Sequence, residues 1–167
     1  MPMIYKSFSP LAHSACDKPA KIAAITFFRH VGIELMENPD QYGIDLLGVT
    51  DCTKKVECEH RQPFKEFFPY NTIHLLERKT KFCIDDTAAL AVLNYDYTRI
   101  IICPHGAILR CVHTLKDNHG KTITPGEKVF DLPLSICRMF DVQTGKQLPI
   151  FCNWTFAIFA GMPIFSS

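Results

Sequence analysis

Two runs and the turn between them, GIDLLGV (43–49), DCTK (51–54) and KVECEH (55–60), decide how this chain is read. The first run is apolar except for one acid, Asp45, and reads as a strand. The last alternates strictly, so Val56, Cys58 and His60 face one way while Glu57 and Glu59 face the other. A hairpin follows, with three carboxylates near its two strands. A carboxylate inside an apolar strand is costly unless it is paired or binds a metal ion. Crowded acids also raise one another's pKa, and a divalent cation removes that repulsion.

Working outward, the segment before the hairpin predicts a helix. It opens at Asp17 or the Lys18–Pro19 step and runs to about Glu37, where Asn38–Pro39 forbids continuation. Ala24, Phe27, Phe28, Val31 and Leu35 recur at the helical period, and Glu34 lies at the edge of that stripe. Residues 1–17 read as a lead-in. After the hairpin, 61–71 is a loop rich in Phe and Pro, and TIHLLERKTKF (72–82) starts as a strand and turns basic. Two strands over Ala88 to Cys103 are joined at Asp96–Tyr97, a further strand spans 107–114, and 127–142 holds a strand or short helix. The class is α+β or α/β, a mixed central β-sheet flanked by helices. It forms a single domain over 1–167, without repeat or linker.

Composition narrows the partners. The 167 residues are 47% hydrophobic and carry 18 basic against 17 acidic side chains, so a nucleic acid would need a local basic patch. The strongest is Arg78, Lys79 and Lys81; on an extended segment Lys79 and Lys81 share a face suited to phosphate. The eight cysteines include no CxxC pair and no secretory signal is read at the N-terminus, which predicts free thiols in a reducing, cytoplasmic setting. Cys103 and His105, with Cys111 and His113, sit at i, i+2 but not at a common zinc spacing; buried cysteines and surface histidines are expected. The apolar C-terminal tail (148–167) includes LPIFCNWTFAIFAGMPIF (148–165), 18 residues without a charge. Pro149, Asn153, Thr155 and Pro163 weaken it as a membrane helix, so it reads as a buried or dimer-forming tail with no membrane partner.

A helix with Glu34, Ile44–Asp45 on one strand and Glu57-Cys58-Glu59 on the next resemble the PD-(D/E)XK, or restriction-endonuclease-like, nuclease superfamily. FPYNTIHLLERKTKF (68–82) looks like segments of phage-type members. The likeness covers about 19–103 and implies an αβββαβ core. Asp45 matches the motif Asp with Ile44 in place of the customary Pro, Glu57 matches the motif acid, and Glu59 stands where Lys is usual. The resemblance implies Mg²⁺ or Mn²⁺ on Asp45, Glu57 and Glu34, and phosphodiester hydrolysis carried by Asp45, Glu57 and Glu59. Lys79 or Lys81 would supply the missing charge, and Arg78, Lys79 and Lys81 would contact nucleic acid. DNA is the expected substrate and a homodimer the expected assembly. Two rivals stand beside this reading: a degenerate nuclease fold used as a binding module, and, with His30 joining the acids, a cap-snatching-like RNA endonuclease. The plainest alternative is an edge strand whose acids pair with Lys54, Lys55 or Arg61.

Overall fold

The computed structural model describes residues 10–82, 88–104, 115–117 and 128–150, with side chains from 16 onward except 80, 81 and 115–117. Helix α1 spans Pro10–His30, passing through Pro19. Strands β1 (Leu35–Glu37), β2 (Leu46–Gly48) and β3 (Lys55–His60) follow. β4 (Thr72–Leu76) runs into a 3-10 turn at Glu77–Phe82, and β5 (Ala88–Leu93) and β6 (Arg99–Pro104) come next. β7 (Leu115–Asp117), β8 (Lys128–Pro133), a 3-10 turn at Leu134–Ile136, β9 (Arg138–Asp141) and β10 (Gln147–Leu148) complete the described chain. None of the described helices is long and apolar enough to cross a membrane.

The helix both starts and stops earlier than the sequence reading expected. Its stop is Gly32 at φ +81°, where Ile33 N–H reaches back to Phe28 O (2.8 Å) and Gly32 N–H to Arg29 O (3.1 Å). This left-handed C-terminal cap satisfies carbonyls that would otherwise be orphaned, and glycine adopts it without a Cβ penalty. Leu35 and Glu37, expected on the helix, are therefore strand residues, and Glu34 is exposed in the turn before β1. The hairpin is as expected: Leu46 pairs with Val56 and Leu47 with Lys55, antiparallel. Gly48 is required there, since a Cβ would meet Asp51 O at 2.2 Å. Asp51 Oδ1 accepts Thr53 N–H (3.0 Å), fixing the turn.

Among the described residues ten strands form two sheets. Seven lie in the order β1-β2-β3-β5-β6-β9-β10, and three in the order β4-β8-β7. Within the large sheet β3 and β5 run parallel and every other neighbouring pair is antiparallel. Among the described residues the β3-to-β5 connection carries β4 and a 3-10 turn, at the place where the αβββαβ core implied by the resemblance would have a helix. α1 covers one face of the large sheet, packing Ala24, Phe27 and Phe28 against Val56, Cys58, Ala89 and Ala91. The opposite face, with Leu90, Val92 and Ile101, packs against Ile73, Leu75 and Leu132 of the small sheet. β5 is AALAVL and is buried at every residue, because it lies between both layers. The strand expected at 107–114, His105, Cys111, His113 and the tail beyond Ile150 lie outside the described residues. Cys16, Cys52, Cys58, Cys103 and Cys137 are free thiols.

Candidate functional site

Strand alternation puts Glu57 and Glu59 on the face of β3 away from α1, opposite Leu90 and Val92. Both are buried, at 5% and 8% exposure. The helix covers the Val56–Cys58 face, and the acids lie under the layer carrying β4. Carboxylates placed there must be paired. Lys79 supplies the pairing, from the 3-10 turn that follows β4: its Nζ stands 2.8 Å from Glu57 Oε1 and 3.4 Å from Glu59 Oε1. Arg61 closes the other side of Glu59, with Nε donating to Oε2 at 3.0 Å while Nη2 donates to His74 O at 2.7 Å.

Asp45 stands just before β2 and joins the two layers. Its Oδ2 accepts the Cys58 backbone N–H at 2.8 Å, and its Oδ1 meets Lys21 Nζ of α1 at 3.1 Å. Lys21 also bridges to Asp17 at 2.9 Å, one helical turn away. The helical residue that reaches the acids is therefore Lys21. Glu34 is exposed ahead of β1, and His30 ends the helix, packed where a Cβ on Gly145 would fall 3.0 Å from its own Cβ. Arg78 is exposed on the turn that bears Lys79. The turn is a 3-10 helix rather than an extended segment, which removes the reason for Lys79 and Lys81 to share a face; the Lys81 side chain lies outside the described residues.

The electrostatics separate the three acids. Burial pushes Glu57 up to about 7; Lys79 opposes this and the Asp45 charge adds to it. Burial would also raise Glu59, yet Lys79 and Arg61 together outweigh it and hold Glu59 below the usual range. Lys79 is held charged by Glu59 and Glu57 against the cost of its own burial. Lys21 is likewise kept charged against burial by its bond to Asp17 and the Asp45 charge.

The ion-paired set comprises Asp17, Asp45, Glu57 and Glu59 against Lys21, Lys79 and Arg61, so carboxylates exceed cations by one. The surplus appears at Glu57, whose Oε2 is buried with no hydrogen-bond partner among the described residues. An orphaned carboxylate oxygen near a second carboxylate fits a hard divalent cation, which takes one or two protein carboxylates and completes its shell with water and phosphate. A cage of protein ligands alone does not fit: among the described residues no three His, Cys, Asp or Glu side chains are grouped to hold a metal. Sequence reasoning had placed Arg61 among the partners of Glu59 but missed Lys21 and Asp17. Their i, i+4 spacing with opposite charge was the available signal. Comparison with known proteins finds no family model, curated protein or solved structure that matches the chain.

Proposed function

We propose that this chain is a divalent-metal-dependent nuclease that hydrolyses phosphodiester bonds, with DNA as substrate, and that Asp45 and Glu57 hold the ion. The observation that carries the reading is Lys79. The resemblance leaves position 59 without its usual lysine, and an ammonium from a distant turn stands within contact of both Glu57 and Glu59. The element order supports it: a helix, a three-strand antiparallel meander with an acid at the second strand and acids on the third, and, after β4 and a 3-10 turn, a strand parallel to the third.

The ion, Mg²⁺ or Mn²⁺, supplies Lewis-acid polarisation of the phosphodiester when bound. The chain's own groups do the rest. Lys79 stabilises charge that builds on the phosphoryl oxygens. Glu59, locked by Arg61, orients Lys79. Cys58 N–H and Lys21 hold the Asp45 carboxylate in one orientation. Glu34 has no part in this arrangement. A homodimer would present two such sites to the two strands of a duplex, and the sedimentation coefficient at micromolar concentration tests that part separately.

One observation favours the rival reading of a binding module. Lys21 and Cys58 N–H already engage both oxygens of Asp45, so the ammonium of Lys21 stands where a metal would compete. Metal titration decides. Mn²⁺ or Mg²⁺ should raise the melting temperature of the wild type, by mass action on the folded state, and should not raise that of Asp45→Asn. DNA cleavage should need the ion and vanish in the same variant. No shift and no cleavage in the wild type would leave the binding module as the better reading.

A further inference from the structure

Lys21 stands between two carboxylates from different parts of the fold. Its Nζ is 2.9 Å from Asp17 Oδ2, one turn earlier on α1, and 3.1 Å from Asp45 Oδ1, on the segment before β2. The first contact is local: an acid four residues ahead of a lysine is the favourable order on a helix, and it needs no tertiary fold. The second exists only because α1 packs on the sheet. The two acids also differ in what else holds them. Asp45 Oδ2 accepts the Cys58 backbone N–H at 2.8 Å, so this carboxylate stays in place whichever cation sits on Oδ1. The Asp17 side chain is the wetter of the two, 30% exposed against 17% for Asp45. An ammonium resting on Asp17 alone therefore gives up less hydration.

A divalent ion shared by Asp45 and Glu57 needs an oxygen from each. Glu57 offers Oε2, which has no partner among the described residues. Asp45 Oδ1 is already taken by Lys21. An ammonium and a divalent ion on one oxygen repel at contact distance, so one excludes the other. Lysine suits an exchangeable occupant. It is a point charge on a flexible stem, whereas arginine would fasten the carboxylate with a two-pronged fork.

We propose that Lys21 is a built-in competitor for the metal: its ammonium holds Asp45 Oδ1 while the ion is absent, and an entering divalent ion displaces it onto Asp17. The exchange rests on the metal reading of Asp45 and Glu57, and it sets the ion concentration at which that site fills. It is cation for cation. Asp45 passes from ammonium to metal, and Lys21 stays charged and paired on the helix, so neither group is left uncompensated.

The test is calorimetric titration of the whole chain with Mn²⁺, in the absence of nucleic acid. Lys21→Met should bind the ion about ten-fold more tightly than wild type, the order by which an adjacent opposite charge shifts a carboxylate's affinity for a cation. Lys21→Gln, also uncharged, should match it and serves if the methionine variant does not fold. Lys18→Met removes the same charge from an exposed position on the same helix and should stay within about two-fold of wild type. Asp17→Asn should weaken Mn²⁺ binding, because the displaced ammonium loses its acceptor. In the Lys21→Met background the same change should do far less. Ion binding that appears only in the Lys21 variants also supports the exchange. Equal affinity of Lys21→Met and wild type overturns it, as does an equal gain in Lys18→Met, and both leave the metal site standing. No binding in wild type or in either Lys21 variant removes the metal site and the competitor together.

Discussion

At the scale of single residues, the site is a balance of burial against charge. Glu57 holds a proton up to about 7, whereas an exposed glutamate releases it near 4.5. Between these values the folded state binds a proton that the unfolded chain does not, so stability falls as pH rises across that window. The loss is on the order of 2–3 kcal/mol. Glu59 has the opposite sign: its lowered pKa contributes stability above the ordinary glutamate range that is lost on acidification. Urea titrations of the metal-free protein at pH 5 and pH 7.5 should therefore show lower stability at the higher pH, and Glu57→Gln should flatten that difference. Added Mn²⁺ should also flatten it, by favouring the ionised form. Lys79→Met should cost about 3–5 kcal/mol, because it takes the paired cation from buried Glu57 and leaves Glu59 with Arg61 alone; combining it with Glu57→Gln should restore part of that loss. An equal stability of Lys79→Met and wild type would mean that the ion pairs at Glu57 and Glu59 contribute nothing. Asp45→Ala should cost about 1–3 kcal/mol, since the Cys58 N–H loses its acceptor.

At the scale of elements, the termini carry the information. α1 ends at a glycine cap, and no atom lies within 4 Å of the position a Gly32 Cβ would take. Gly32→Ala should therefore lower stability by about 1 kcal/mol through backbone conformation alone. Gly32→Asn should cost less, since asparagine tolerates the left-handed region. Thermal denaturation of the two variants checks the order, and the reverse order would show that the cap does not set the helix end. Gly145, at φ +67°, differs: a Cβ there would meet His30 Cβ at 3.0 Å, so alanine adds a steric cost to the conformational one. The 3-10 turn at Glu77–Phe82 matters for another reason. It turns the chain so that Lys79 points at β3, whereas a continued strand would have paired Lys79 with Lys81 on one face.

At the scale of the whole molecule, two cores share one sheet. Cys58 lies in the core under α1 and Cys103 in the core between the sheets, yet β5, β6 and β9 supply residues to both. The two thiols should consequently be alkylated at one rate, that of global unfolding, while exposed Cys52 reacts in the native state. Mass-spectrometric alkylation kinetics read this directly, and a Cys103 that reacts much faster than Cys58 would mean the small sheet opens by itself. The β2–β3 hairpin, the opposed faces of Val56 and Glu57, and the β5–β6 pair were legible in the sequence, because period-two alternation and turn chemistry act over a few residues. The helix end was legible too, at Gly32, but Asn38–Pro39 offered a stronger-looking stop. Apart from Arg61 beside Glu59, no local pattern could supply the partners of the buried charges. Lys79 reaches Glu57 across a strand crossover, and Lys21 reaches Asp45 from a helix in another layer. Burial strengthens such contacts and makes them obligatory, but which cation meets which acid is decided by layer packing over distances that sequence spacing does not encode. By itself the sequence determined that three acids would gather on the hairpin; only the tertiary structure decided that ammonium groups meet them there and that one Glu57 oxygen is left without a partner among the described residues.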